Sequence, residues 1–451
     1  MPDNKHKRRH PMLDSAYHIF DNLVSFFTRS MNWHMLLATY WFLFFVEFPR
    51  YYLLEVCMVV WYKFTYKKRR KKREVARRML YIENPRVTIL APGKNEGAHI
   101  YKLVSSLREQ TYRNFEIIVV DDGSDDATPL ICRDLEKAGY IDRYLRLGIR
   151  GGKANAANFG LYYAKGKYII HLDADSSLDR NALENILIPF YYDPKIKGVG
   201  GCVKVRNMRD TICTSLQALE YLKTIQVGRM VTSWLGIYHI ISGAFGAFDT
   251  AALRQVGGWD IGPGLDGDIT QKLRKAGYRI HFAEHAICLT NVPARWYQLF
   301  KQRMRWSKSL VRFRMRKHAD VLKPTSNFSF LNFISNMESI LYDSVFNYVW
   351  VFYIVTLVFS NTDNLVEILI IGWLIRLVFA AIAFTVILLV SERSRQELHL
   401  GGYLLLGSLY TGYFLRVTRL LAHTKEIFFF SSYKDPWNPH KTSLEARLEK
   451  I

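Results

Sequence analysis

The sequence predicts an α/β domain with a nucleotide-binding half-fold, set between apolar helical segments. Three observations carry that prediction. β-rich runs at 87–90, 116–120 and 168–172 alternate with helical stretches at 98–109 and 127–138, the pattern of a parallel sheet with crossover helices. Two of the runs close on acids, Asp121-Asp122 and Asp173-Ala174-Asp175, at the strand ends where open α/β sheets bind ligands. Aromatic, apolar stretches flank this block on both sides.

Six regions follow in order. Residues 1–34 hold a basic N-terminus and an amphipathic stretch over 12–31 suited to a membrane interface or to an ordinary surface helix. The first strong apolar run starts near Trp33, so no cleavable signal peptide is expected. Residues 35–66 are nearly all apolar, interrupted by Glu47, Pro49 and Arg50. That length exceeds one upright span of about 20 residues, so two short transmembrane helices turning at 47–50 are expected. Residues 67–320 form the α/β block and 321–344 an interfacial helix. C-terminal spans are expected within 345–425, at 345–360, 366–390 and 402–421. A polar tail covers 426–451. Three C-terminal spans would leave that tail outside and four would return it, and the sequence leaves the count open.

The chain carries 62 Lys and Arg against 40 Asp and Glu, a formal net charge of +22. Much of the excess sits at 5–9, 67–73 and 303–317. The second cluster abuts an apolar stretch, as cytoplasmic flanks of membrane segments do, so no nucleic-acid partner is expected. Five scattered cysteines with no ligand spacing are expected as free buried thiols.

Asp173 and Asp175 suit one task well, holding Mg²⁺ or Mn²⁺ against a diphosphate, because hard cations take oxygen ligands and need few from the protein. The plainer reading is a solvated turn. Upstream, a loop containing Pro92, Asn95 and Glu96 can wrap a base. Asp122 can accept hydrogen bonds from a uracil or ribose, with Ser124 or Asp125 capping the following helix. Gly151-Gly152-Lys153 permits close backbone approach and supplies positive charge. Asp179 is expected to cap a helix beginning near Arg180. Downstream, Ser242–Phe248 reads as an interior strand or a wall that lets a sugar come close. Transfer of a glycosyl group needs one base for the acceptor hydroxyl. Asp266 or Asp268, at a loop-to-helix junction, can supply it, with the other as a cap.

Gln302-Arg303-Met304-Arg305-Trp306 closes the block. Arg305 can neutralise a leaving diphosphate and Trp306 can stack on a sugar. Arg312, Arg314, Arg316 and Lys317 read as a basic face on the membrane surface. Arg376 lies within an expected span, where it can line a polar path or pair with another helix.

As an ordered set, Asp-Asp-Gly-Ser, Asp-x-Asp, Ser-Gly-Ala-Phe-Gly-Ala-Phe, an acidic motif before a helix and Gln-x-x-Arg-Trp resemble the family 2 membrane glycosyltransferases. These are the processive synthases of hyaluronan, chitin oligomers, poly-N-acetylglucosamine and cellulose. The resemblance covers 35–425 in layout. It implies a cytosolic GT-A (Rossmann-like) domain inserted between N- and C-terminal transmembrane helices of a multi-pass plasma-membrane protein. It implies inverting transfer from a UDP-sugar donor to a growing polysaccharide acceptor, exported through the protein's own channel across the lipid bilayer, with an accessory secretion subunit as a further partner. Carried over by position, Asp122 binds uridine, Asp173 and Asp175 the diphosphate and metal, and Gln302, Arg305 and Trp306 the diphosphate and acceptor sugar.

The base motif departs from the family pattern, which has two acids where this chain has Leu265-Asp266. The match favours Asp266 and leaves room for Asp268. Little room follows the last expected span, so a cellulose-type regulatory barrel is not expected; Ser242–Phe248 leans toward the amino-sugar polymerases and UDP-GlcNAc, with UDP-glucose still open. Two alternatives compete: a non-processive membrane glycosyltransferase acting on a lipid acceptor, and a degenerate nucleotide-binding subunit of a synthase complex, which Leu265 alone favours.

Overall fold

The computed structural model describes residues 32–260, 264–324 and 328–434, with isolated positions 21, 24 and 25. Apart from those three positions, the stretch at 12–31 lies outside the described residues, as does the tail from 435.

Eight strands form one sheet among the described residues, in the order β3-β2-β1-β4-β7-β6-β8-β5. They are β1 (Val87–Gly93), β2 (Phe115–Asp121), β3 (Arg143–Arg146), β4 (Tyr168–Leu172), β5 (Ser177–Leu178), β6 (Ile196–Val205), β7 (Phe245–Asp249) and β8 (Arg279–Thr290). β1 pairs in parallel with β2 and β4, and β2 with β3. β7 is antiparallel to both β4 and β6. The sheet is therefore mixed, not parallel throughout as the alternation suggested, because Ser242–Phe248 returns along β4 instead of crossing over. β1 and β4 are buried on both faces, which explains their continuous apolar runs. The chain moves outward from β1 to β2 on one side and to β4 on the other, so a crevice opens beyond their carboxyl ends. The acids 122, 173 and 175 stand at that edge.

The N-terminal apolar segment does not turn at 47–50. After a turn at Tyr40, helix continues from 41 to 83, with wide π-type turns at Phe42–Glu47 and Pro49–Leu53. A widened turn absorbs the donor that Pro49 lacks. The charges that looked like a break are paired: Glu47 with Arg376 at 3.0 Å and Arg416 at 2.6 Å, Arg50 with Glu338 at 2.5 Å. Part of the basic cluster also docks on the sheet domain, through Arg73 to Asn185 at 2.7 Å and Arg77 to Glu184 at 2.6 Å.

Among the described residues, two helices are long and apolar enough to cross a membrane, Phe330–Ser360 and Thr362–Val390. The first merges the expected interfacial helix with the expected span at 345–360. The third candidate, 402–421, became part of a helix over 404–429 whose inner side carries the buried His423 and Glu426. Four cysteines are buried and free, whereas Cys57 is free but exposed.

Candidate active site

A cavity of about 1320 Å³ opens at the carboxyl edge of the sheet. Its wall contains every residue singled out as a binding, metal or base candidate except Asp268: Pro92, Asn95, Glu96, Asp122, Lys153, Asp173, Asp175, Asp266, Gln302, Arg305 and Trp306. Residues spread over more than two hundred positions of chain thus meet in one space.

The loop after β1 is held to the loop after β2. Asn95 N–H donates to Ser124 Oγ at 2.8 Å, and Asp125 N–H donates to Asn95 Oδ1 at 2.9 Å. Ser124 and Asp125 are therefore not helix caps. The helix Thr128–Lys137 follows Ala127 and takes its local support from Asp126, which accepts from Thr128 N–H at 2.9 Å. Asp122 accepts from Gly151 N–H at 2.8 Å and Gly152 N–H at 2.9 Å. Gly152 sits at φ 88°, a conformation that a side chain resists. Burial raises the Asp122 pKa, against the stabilising amides and Arg150.

Beyond β4, Lys153 forms an ion pair with Asp173. Burial opposes both charges, yet Lys153 is held above and Asp173 below its usual pKa by their mutual attraction. Asp175 is raised by burial and then by Asp173. Glu96 is pushed up to about 7 by burial, Asp175 and Asp173. Asp173 thus raises the pKa of Asp175, and both raise that of Glu96, an electrostatic field that a divalent cation would relieve. Among the described residues no three His, Cys, Asp or Glu side chains stand together as a metal cage. Two carboxylates are nevertheless the donor set that Mg²⁺ and Mn²⁺ use when a bound diphosphate and water supply the rest, so the residues fit such a group.

Asp266 and Asp268 part company. Both lie in the first turn of the helix Leu265–Lys275, whose N-cap is Gly264, so neither side chain caps it. Asp266 faces the cavity, and burial raises its pKa against the pull of Lys153 and the Gly243 backbone. Asp268 points away, fully buried between Lys317 Nζ at 2.7 Å and His318 Nε2 at 2.8 Å.

On the opposite wall, the helix Trp296–Leu310 presents Gln302, Arg305 and Trp306. Gln302 Oε1 is buried with no hydrogen-bond partner among the described residues, leaving an acceptor for a ligand. Arg303 lies 4.4 Å from the Trp306 ring centroid and pairs with Glu220 at 2.9 Å, which also accepts from Tyr410 Oη at 2.7 Å. Three of the four basic residues expected as a face on the membrane surface take partners or wall positions within the protein instead. Arg314 is buried in the cavity wall, Arg316 bonds Glu426 at 3.1 Å, and Lys317 holds Asp268. Arg376 belongs to the Glu47 pair and not to the cavity wall. Asp179 does not cap with its side chain, which reaches Arg393 instead.

Sequence reasoning missed His171, Glu220 and Arg229, and read Gly243 only as part of the Ser242–Phe248 segment. His171 Nδ1 lies 2.6 Å from Gly243 O, and burial brings its pKa down to about 4, so it stays neutral. A Cβ on Gly243 would collide with Asp266 Oδ1. His171 and Gly243 thus fix the spacing between β4 and the Asp266 carboxylate. Two-residue periodicity could have found His171, two positions before Asp173 on one strand face. Glu220 and Arg229 lie on helices with no local signature.

Residues 88–257 match the family described as glycosyl transferase family 2. The chain carries a family 2 glycosyltransferase domain. Poly-beta-1,6-N-acetyl-D-glucosamine synthase of Staphylococcus epidermidis (strain ATCC 35984) is 33% identical over 223 residues, 49% of this chain and 54% of that protein. The synthase of the same name from Staphylococcus aureus (strain COL) is 31% identical over 268 residues, 59% of this chain and 62% of that protein. The chain therefore spans little more than half the length of these relatives. A mannosyltransferase from Pyrobaculum calidifontis, solved with GDP-Man and Mn²⁺, superposes with a TM-score of 0.53 at 22% identity, covering 79% of this chain and 96% of that one. That likeness establishes a shared GT-A-like α/β fold for the family 2 domain.

Proposed function

We propose that this chain is a membrane-integrated, inverting family 2 glycosyltransferase that builds a β-linked amino-sugar polymer from UDP-GlcNAc and passes it across the membrane. The observation that carries the reading is one cavity wall that holds Lys153, Asp173 and Asp175 together with Asp266. A donor-diphosphate edge and a cavity-facing base thus share one space. In this reading Asp122 and the loop at 92–96 bind the uridine, and Lys153 and Arg305 bind the diphosphate. Asp266 takes the proton from the acceptor hydroxyl that attacks the anomeric carbon, on the face opposite the departing UDP. When bound to Asp173 and Asp175, Mg²⁺ or Mn²⁺ supplies charge neutralisation for that leaving group. Trp306 offers a ring face to the acceptor sugar and Gln302 an acceptor oxygen.

Processive growth is favoured over single transfer because the cavity does not end at the sheet. It continues to Ser339 and Asp343 on Phe330–Ser360 and to Leu415, Arg419 and His423, which supports an exit between the helices. Phe330–Ser360 and Thr362–Val390 serve as membrane spans in this reading, with the catalytic domain cytosolic. The kinship with the two synthases supports GlcNAc over glucose.

The test is turnover by the purified full chain in nanodiscs with Mg²⁺ or Mn²⁺. UDP-GlcNAc, UDP-glucose and UDP-glucuronate are offered singly and in pairs, and UDP release and product size are followed. High-molecular-weight product from UDP-GlcNAc alone is expected. Need for two donors would replace the homopolymer with a copolymer, and UDP release with only short products would replace processive synthesis with single transfer. No turnover on any donor would sink the enzymatic reading.

A further inference from the structure

A second group of polar side chains borders the cavity on the far side of the helix that carries Asp266. The segment 238–241 runs along one flank of that helix. Ile241 N–H donates to Thr270 Oγ1 at 3.0 Å, and Arg274 Nη1 donates to Tyr238 O at 2.9 Å. On the other flank a Cβ on Gly264 would meet Phe313 and Ser309, and Asp268 holds His318 Nε2 at 2.8 Å. Gln271 projects between the two flanks. At 100° per residue it stands about 140° round the helix from Asp266. His239, Gln271, Arg314 and His318 all line the cavity there.

These side chains are short of partners. Gln271 Nε2, His239 Nδ1 and His318 Nδ1 are buried atoms with no hydrogen-bond partner among the described residues, whereas buried polar groups are normally satisfied. Arg314 is buried, and among the described residues its one hydrogen bond goes to Ser335 O at 3.3 Å, although a guanidinium carries several N–H donors. No carboxylate among the described residues pairs with it. The acids whose charge reaches it, Asp343 and Glu338, are engaged by Arg419 at 3.0 Å and Arg50 at 2.5 Å. Burial brings the Arg314 pKa down to about 10, and burial together with the Arg314 charge brings Arg274 to about 10 as well. Burial and then these two guanidiniums hold the His239 pKa well below the usual imidazole value. A buried cation without a counter-charge is costly, and an anion in the open space beside Arg314 relieves it.

We infer that the space between the helix Leu265–Lys275 and Arg314 is a second ligand site, for a phosphate-class oxyanion. Arg314 supplies charge and N–H groups, Gln271 an amide donor, and His318 a ring nitrogen that donates when the ring is protonated. The donor diphosphate belongs elsewhere, because it is Asp266, on the other side of the helix, that feels Lys153. An anion here ties the base-bearing helix to the segment 309–318 and, through Ser335, to Phe330–Ser360. The oxyanion is either free in solution or borne by a lipid headgroup. The inference goes beyond the glycosyltransferase reading and holds for any donor sugar.

The test titrates inorganic phosphate into the full chain in a phosphate-free detergent, with saturating UDP and Mg²⁺ to fill the donor site. A single phosphate site is expected by calorimetry, with an unfolding temperature that rises with phosphate concentration. Arg314→Gln is expected to weaken phosphate by at least about tenfold and to leave UDP affinity at the parental value. Gln271→Leu removes a donor but no charge; it is expected to weaken phosphate several-fold and carries the test if Arg314→Gln does not fold. Phosphatidylglycerol nanodiscs separate the two sources. Loss of phosphate binding there shows a headgroup in the site, retained binding shows an aqueous anion, and both uphold the proposal. No phosphate binding in detergent, or equal affinity in the parent and the folded variants, would overturn it. UDP binding in the same samples reports separately on the nucleotide site.

Discussion

One glycine separates Asp266 from Asp268, and the helix turn between them gives the two acids opposite environments. Asp266 borders the cavity with a pKa raised by burial, so it titrates above the ordinary carboxylate range. A base must be deprotonated, so turnover is expected to rise with pH through that raised pKa and to fall away on the acid side. Asp266→Asn is expected to cut transfer by about 10²–10⁴ and remove the acid limb, with UDP affinity near that of the parent by calorimetry. Asp268→Asn is expected to act on stability instead, because it strips the charge that Lys317 and His318 face. The cost is about 2 kcal/mol, moderated because the Lys317 side chain is 35% exposed, and thermal unfolding would show it. Asp175→Ala is expected to abolish the metal dependence of UDP binding; unchanged binding with and without Mn²⁺ would remove Asp175 from the metal site.

At the scale of elements, the site is a matter of spacing between β4, the turn before β7 and the helix Leu265–Lys275. His171 on β4 bonds the Gly243 carbonyl, and Gly243 has no side chain because Asp266 occupies the space. Gly243→Ala should displace the Asp266 carboxylate by a fraction of an ångström or more. Misplacement of about 1 Å costs on the order of 10²-fold in rate. Loss of kcat with unchanged UDP affinity and unchanged thermal stability is the expected signature; full activity would show that Asp266 need not stand there. β1, β2 and β4 were legible because their signals are local: apolar runs ending in acids. β7 as an antiparallel return was not, since Ser-Gly-Ala-Phe-Gly-Ala-Phe has the same composition in either direction.

Across the whole molecule, the catalytic domain and the helical part share a wall. Glu220 joins Arg303 of the Gln-x-x-Arg-Trp helix to Tyr410, and Leu415, Arg419 and His423 close the far cavity. Ending the chain at Ser329 would leave Glu220 without Tyr410 and Arg316 without Glu426, and would open the cavity. Such a truncated chain is expected to lose polymer synthesis even when kept soluble, by comparison of UDP release and product size with the full chain. Synthesis at the parental rate would make the helical part a mere anchor.

The sequence by itself determined the α/β order, the acids at the strand ends, the Gln-x-x-Arg-Trp motif and the apolar flanks, because each depends on neighbours a few residues away. Only the tertiary structure decided which of Asp266 and Asp268 meets the cavity, since Lys317 and His318 lie about fifty residues further on. It also decided that Glu47 and Arg50 do not break the first helix. Their counter-charges come from Glu338, Arg376 and Arg416, and no local pattern can reveal a charge neutralised from more than two hundred and eighty residues away.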